Sequence, residues 1–292
     1  MNVTHLIPGC KQHTKHYLSF FTLAILLNCI APYALKGQRV SSVSAYDASD
    51  PAVLKSQIKT AIESYVFFES GTFYALQFGY QYGIGDRHLF GIAIPFYHNV
   101  FNGDYAGYEN TTGIGDIRMS YMMAAFRKEN HAGLQRISPY LEVSAPTGEY
   151  QLGRGAGAWL YKPGIIFTIR PAPEVSFYPE IKYQFSTGEV NSQGGDEGLP
   201  DPEDPTKDLK YSNLSIAFPT VFVLNDWNGW FSLNFLYTHS FSEESDFLFV
   251  RTDIGKMMSD RTAFSLNIAK FIVGQPRLNV VVQAKFNFFL SR

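Results

Sequence analysis

Residues 277–288 read RLNVVVQAKFNF; the even-numbered positions from Leu278 to Phe288 are all apolar, and every odd-numbered position except Val281 is charged or an amide. Because successive side chains of a β-strand point to opposite faces of the sheet, this segment has one apolar and one polar face. The same alternation recurs along most of the chain, and aromatic residues repeatedly supply the apolar face. This pattern is typical of an all-β, transmembrane antiparallel up-and-down β-barrel, which meets lipid outside and water inside.

Other segments repeat the pattern with different residues. The apolar faces predicted to contact lipid contain Tyr74, Leu76, Phe78, Tyr80 and Tyr82; Val175, Phe177, Ile181 and Tyr183; Phe231, Leu233, Phe235 and Tyr237; and Phe264, Leu266 and Ile268. The residues between them are small or polar, as a crowded interior requires. A soluble β-sandwich would show the same alternation. The N-terminal segment and the cysteines argue against that alternative.

The N-terminal segment resembles a secretory signal. Lys11, Lys15 and His16 precede an apolar stretch over residues 17–34, so we predict that residues 1–37 are a signal peptide. Both cysteines, Cys10 and Cys29, lie in this removable segment. The mature chain would then contain no cysteine, as suits a protein that crosses an oxidising periplasm before it folds.

The composition agrees with this interpretation. Aromatic residues make up 16% of the chain, mean hydropathy is -0.09, and no second apolar run is long enough for a helical membrane span. The formal net charge of -2 gives no electrostatic reason to expect nucleic acid as a partner. We therefore predict the outer membrane of a Gram-negative bacterium as the location. Expected partners are outer-membrane lipids and lipopolysaccharide, the outer-membrane assembly machinery and a small-molecule solute.

The alternating segments divide the chain. Residues 59–292 are predicted to form a barrel of about twelve strands, and residues 38–58 a periplasmic tail or a short plug or helix. The two longest connections, 98–114 and 187–210, fall on the same side, as expected of extracellular loops. Residues 53–64 have apolar positions at helical spacing as well, so a short amphipathic helix is an alternative to the first strand.

Glycine-rich motifs lie at predicted strand ends. Gly113-Ile114-Gly115-Asp116 opens one strand, Ala145-Pro146-Thr147-Gly148 ends another, and residues 153–157, Gly-Arg-Gly-Ala-Gly, lead into Lys162-Pro163-Gly164. In this order the motifs resemble a family of outer-membrane transporters named for the MetA pathway of phenol degradation. The resemblance covers roughly residues 72–288. It implies an outer-membrane β-barrel that passes small or hydrophobic compounds, and it transfers no catalytic residues.

The polar strand faces contain the candidate site. Their charged residues would line or fill the lumen and select solutes. They are Arg118, Glu142, Glu180, Lys182, Arg261, Arg277 and Lys285. No cofactor is expected, and no histidine pairing suggests a metal site. Residues 196–208 are acidic and proline-rich, which predicts a solvated external loop; binding of calcium, or bridging to lipopolysaccharide through divalent ions, is an alternative.

Three functions remain open at this stage. The leading hypothesis is a passive channel for small, hydrophobic or aromatic solutes. On this hypothesis the protein is not an enzyme. A structural or adhesive barrel, working through the acidic loop, is the second. A lipid hydrolase is the third, and it would need a serine and a histidine on one side of adjacent strands. His239 and Ser240 are neighbours on a strand and therefore point to opposite faces.

Overall fold

A computed structural model describes residues 43–68, 71–102, 110–128, 132–187, 212–242, 244–273 and 278–290 of the chain. The predicted signal peptide, Arg277 and the acidic loop at 196–208 lie outside these residues. Within them, no helix is both long enough and apolar enough to cross a membrane.

The described residues are mostly antiparallel sheet. The strands, numbered in chain order, are β1 Gln57–Phe67, β2 Gly71–Ile84, β3 His88–Phe101, β4 Thr111–Ile114, β5 Arg118–Met123, β6 Phe126–Arg127, β7 Gly133–Ser144, β8 Trp159–Ala172, β9 Val175–Phe177, β10 Glu180–Thr187, β11 Ser212–Leu224, β12 Gly229–Ser240, β13 Ser245–Met257, β14 Thr262–Val273 and β15 Leu278–Phe289. A single α-helix, α1, spans Ala45–Ser49, and short 3-10 turns span Tyr150–Leu152 and Asn225–Trp227.

The sheet closes on itself. β1 pairs antiparallel with both β2 and the last strand, β15, over ten or more residues on each side. Since β4, β5 and β6 are successive pieces of one strand, as are β9 and β10, the described segments make twelve strands. The predicted twelve-stranded antiparallel barrel is confirmed. A closed barrel leaves no unpaired edge, as a bilayer requires.

Side chains separate by face as the alternation predicts. In β11, Phe218 is 47% exposed while the preceding Ala217 is 3% exposed. In β12, Phe235 is 49% exposed and the preceding Asn234 is 9% exposed. Most of the exposed large apolar side chains therefore form the outer surface, and the inner face around the middle of the barrel is mainly small or polar, with larger apolar residues toward the barrel ends. A soluble sandwich would bury the apolar face instead.

Two predicted strands are interrupted. Tyr97 pairs with Gly113 but Ala93 pairs with Arg118, so one extra residue is inserted between β4 and β5. This bulge exchanges the faces of the strand and turns Arg118 inward. The predicted strand at 175–186 is divided into β9 and β10 at Pro179, which has no N–H to give to the ladder.

The segment before the barrel is ordered. β1 begins at Gln57, so the alternative of an amphipathic helix over residues 53–64 is wrong. Residues 43–56 instead enter the barrel end and contain the one turn of α1. Ser44 caps this turn: its hydroxyl accepts a hydrogen bond from the Asp47 amide, and the Asp47 carboxylate accepts one from the Ser44 amide.

Candidate functional site: the barrel lumen

The inward face of the barrel encloses a cavity of about 400 Å³. Its wall is built from alternate residues of neighbouring strands, which bring small, amide and charged side chains to one surface. The neutral polar residues that line it include Gln77, Gln81, Ser232, Asn234, Ser265, Asn267, Gln283 and Asn287. A water-filled interior is the expected environment for such side chains.

Residues 43–56 form the floor of this cavity, and we call this segment the plug. Its apolar residues Val43, Ala45, Ala52 and Val53 pack among inward side chains near the strand ends. Those barrel side chains are Ile166, Tyr178, Val221, Val223, Trp230, Met257, Ala263 and Phe289. Burial of this apolar cluster holds the plug in the barrel end.

Polar contacts also attach the plug to the wall. Asp50 forms a buried ion pair with Arg136, whose guanidinium also donates to Ser138 Oγ at 3.1 Å and Thr168 Oγ1 at 3.2 Å. The Tyr46 hydroxyl lies 2.6 Å from Ser176 Oγ. One carboxylate and one hydroxyl group of the plug therefore contact polar groups of β7, β8 and β9. Breaking such a buried pair costs more than breaking a surface one.

The predicted lumen residues are distributed unevenly. Arg118, Glu142 and Lys285 line the cavity. Glu180 accepts a hydrogen bond from the Tyr140 hydroxyl on the β7–β8–β10 side of the barrel, and Lys182 follows two residues later on the same strand. Arg261 lies in the turn before β14, because the strand begins at Thr262 and not at residue 261.

The sequence-based prediction did not include several charged residues of the cavity. Lys59, Arg251 and Asp253 line it, and Asp50 reaches it from the plug. Arg251 and Asp253 stand at alternate positions of a predicted strand, so the period of two could have placed them on the inner face. For Lys59 and Asp50 no such signal existed, since both precede the residues in which the alternation is regular.

Charged groups in the lumen are partly neutralised. Lys162 Nζ donates to Glu142 Oε1 at 2.8 Å. Glu63 is 4% exposed, and its carboxylate accepts hydrogen bonds from the side chains of Tyr65, Gln77 and Gln283. The indole N–H of Trp230 donates to Asp253 Oδ2 at 2.6 Å. Neutral donors thus hold Glu63 and Asp253, while a lysine holds Glu142. The cavity wall also contains the cations Lys59, Arg118, Arg251 and Lys285.

The glycine-rich motifs meet at the opposite end of the barrel from the plug. The Asp116 carboxylate accepts hydrogen bonds from the backbone N–H groups of Gly148 at 2.9 Å and Ala156 at 2.7 Å. Thr147 Oγ1 donates to the Gly115 carbonyl at 3.0 Å. We call these contacts, which bind the β7–β8 connection to the start of β5, the loop clamp.

Arg154 completes the loop clamp. It is 9% exposed, donates to the Thr112 carbonyl at 2.5 Å and pairs with Glu149 at 2.8 Å. Glycine is required beside it because a Cβ on Gly148 would lie 2.3 Å from the Arg154 carbonyl oxygen, which belongs to the backbone. The family-like motifs therefore share one structural role at the mouth of the lumen opposite the plug.

We expect Asp116→Ala to release the loop without unfolding the barrel. The substitution leaves two backbone N–H groups without their acceptor, at a cost of about 1 to 3 kcal/mol. Hydrogen exchange at the amides of Gly148 and Ala156 should therefore accelerate about 10- to 100-fold. Asp86→Ala, which removes an exposed partner of Arg127 in a turn, is the control and should change neither amide. Unchanged exchange in Asp116→Ala would show that the carboxylate does not hold the loop.

No group of three or more histidine, cysteine, aspartate or glutamate side chains arranged to hold a metal ion occurs within the described ranges.

A closed antiparallel barrel with an apolar outer surface and a polar lumen defines the protein as an outer-membrane β-barrel, located in the bacterial outer membrane. The family model described as "Putative MetA-pathway of phenol degradation" matches residues 46–199, which is more than half of the chain. The chain therefore belongs to this family. The matched region includes most of the plug and the whole loop clamp, so the resemblance seen in the glycine-rich motifs is confirmed.

Solved structures share the fold at low sequence identity. An outer membrane channel from Pseudomonas putida F1 is 12% identical with a TM-score of 0.63, and the match covers 82% of this chain and 99% of that chain. The NanC porin is 8% identical with a TM-score of 0.51, over 81% of this chain and 100% of that chain. No curated protein matches the sequence.

Proposed function

We propose that the protein is a passive outer-membrane channel for small solutes, among them small hydrophobic or aromatic compounds. The observation that carries the proposal is the cavity of about 400 Å³, lined by polar and charged side chains inside a closed barrel. A barrel that served only as a scaffold could fill this space with packed apolar side chains, as small barrels do. The solute would move down its gradient, and no bond would be made or broken.

The plug determines whether this channel is open or closed. It covers the cavity at the end where β1 begins, and the ladder of strand hydrogen bonds starts only at Gln57. Movement of residues 43–52 would therefore open the lumen without breaking a strand pair. We propose that a solute passes the outer mouth at the loop clamp, enters the cavity and leaves when the plug is displaced.

The geometry gives less support to a lipid hydrolase. His239 Nδ1 lies 2.9 Å from Asp246 Oδ1 near the outer end of β12, a pairing that could orient a catalytic base. Ser240 is 3% exposed and on the opposite face, and its Oγ lies 3.2 Å from Ser242 Oγ. Ser240 therefore cannot serve as the nucleophile of the His239–Asp246 pair. The adhesive alternative depends on residues 196–208, which lie outside the described ranges.

We expect deletion of residues 43–52 to raise single-channel conductance in planar bilayers, because the floor of the cavity is removed. The full mature chain should conduct less, or only in brief openings. Asp226→Asn, a change in the exposed turn Asn225–Trp227, is the control and should conduct like the unmodified protein. Heat-modifiable gel mobility would verify that each variant forms a barrel. A folded deletion variant that does not conduct would contradict the channel.

A further inference from the structure

Three cations that line the cavity have no ion-pair or hydrogen-bond partner among the described residues. Lys59 on β1, Lys285 on β15 and Arg251 on β13 all line it. Among the described residues none of the three donates a hydrogen bond or forms an ion pair, and Arg251 Nε is buried without a partner. Lys285 is opposite Ala61, two residues from Lys59 on the same face of β1. Like charges held this close and partly out of water destabilise a barrel unless something compensates them.

The neighbouring carboxylates supply only part of that compensation. Glu142 is paired with Lys162, Asp50 with Arg136, and Glu63 is saturated by three neutral donors. Asp253 is the remaining carboxylate of the cavity wall, and Trp230 already donates to one of its oxygens. Glu63 and Asp253, the two of these carboxylates without an ion pair among the described residues, thus face these three cations and Arg118, whose hydrogen bond goes to the neutral Gln77 side chain. An anionic solute would restore the balance.

Neutral polar groups next to the cations suit a carboxylate. Ser265 is opposite Lys285 in the β14–β15 ladder, and Gln283 and Asn287 are on the same face of β15. Amide and hydroxyl groups can donate hydrogen bonds to carboxylate oxygens beside the charged donors. This arrangement fits a small organic acid better than a bare halide, which needs no directed donors.

Aromatic rings follow the same inner face toward the outer mouth. Phe73 is opposite Tyr65, whose hydroxyl donates to the inward carboxylate of Glu63. The ring centroid of Phe73 lies 4.7 Å from that of Phe67 and 5.2 Å from that of Phe101. Phe249, on the same face of β13 as Arg251, contacts Phe271 at 5.5 Å. These rings give the outer lumen an apolar surface that would stack on a planar ring.

We propose that the lumen contains a binding site for small aromatic carboxylates, with Lys59, Lys285 and Arg251 holding the carboxylate and the phenylalanines guiding the ring. The proposal rests on the channel function and adds a solute class to it. The cavity volume is within the range of small-ligand pockets, and one benzene ring with a carboxylate is small enough to enter it.

The test is calorimetric titration of benzoate into the full mature protein in detergent at low ionic strength. Benzoate should bind, and the neutral isostere benzamide should bind about tenfold more weakly or not at all, because charge-assisted hydrogen bonds are lost. The double variant Lys59→Gln/Lys285→Gln should weaken benzoate binding about tenfold or more. It should also fold, since it removes repulsion between two lysines. Lys256→Gln, at a lysine that lies over the Trp227 ring and does not line the cavity, is the matched control and should bind like the parent.

Separate outcomes overturn the site and the channel. Equal binding of benzoate and benzamide, or unchanged benzoate binding in the double variant, would overturn the anion site. Acetate that binds as tightly as benzoate would overturn its aromatic selectivity. A protein that conducts in planar bilayers but binds no benzoate would contradict the site and leave the channel intact. Benzoate binding without conductance, even after deletion of residues 43–52, would contradict the channel and leave the site.

Discussion

Replacing Leu266 by arginine is expected to destabilise the folded barrel in lipid by about 2 to 4 kcal/mol, the cost of a basic side chain near the bilayer midplane. Leu266 is 40% exposed on the outer face of β14, in the middle of the strand. Its neighbours on that face, Phe264 and Ile268, are apolar as well, so the guanidinium has no polar surface within easy reach. Folding titrations into lipid vesicles would measure the loss.

Asn267→Arg is the matched control for this substitution. Asn267 is the next residue of the same strand, is 3% exposed and lines the cavity. An arginine there would point into the polar lumen, opposite Asp253 in the β13–β14 ladder, so the penalty should be much smaller. Equal costs at positions 266 and 267 would contradict the assignment of one face of β14 to lipid and the other to the lumen.

Asp50→Ala is expected to release the plug. The substitution leaves the Arg136 guanidinium, 14% exposed, without its carboxylate partner, and breaking a buried pair in this way costs about 3 to 5 kcal/mol. The plug can leave the lumen without breaking a strand pair, so the loss should appear as undocking rather than as unfolding of the barrel. Limited proteolysis should cleave residues 43–56 faster, and single-channel conductance should rise toward that of the deletion variant.

Lys55→Ala is the control for Asp50→Ala, because it changes the same segment and leaves the buried Asp50–Arg136 pair intact. Lys55 pairs with Asp47 at 3.0 Å, but both side chains are about one-third exposed, so the pair contributes at most about 1 kcal/mol. This variant should keep the protease resistance and conductance of the parent. If Asp50→Ala behaved in the same way, the ion pair with Arg136 would not hold the plug.

The sequence by itself determined the barrel and the orientation of its side chains. Alternation is a local property: residues 277–288 show which side of β15 meets lipid because each side chain alternates with its neighbour. The exposed Leu266 and buried Asn267 follow the same rule. Signals of this kind need no knowledge of the neighbouring strands, and they were sufficient for the fold class and the number of strands.

Only the tertiary structure decided which inward groups meet at one height. Asp116 accepts from Gly148 and Ala156, which follow it by 32 and 40 residues, and Asp50 pairs with Arg136 across 86 residues. Such encounters depend on strand register, on the one-residue bulge before β5 and on the path of the plug. The alternation of apolar and polar residues along one strand contains no information about any of these three features. The plug, the loop clamp and the group of cations at Lys59, Arg251 and Lys285 are therefore visible only in the tertiary structure, where the strands close around one lumen.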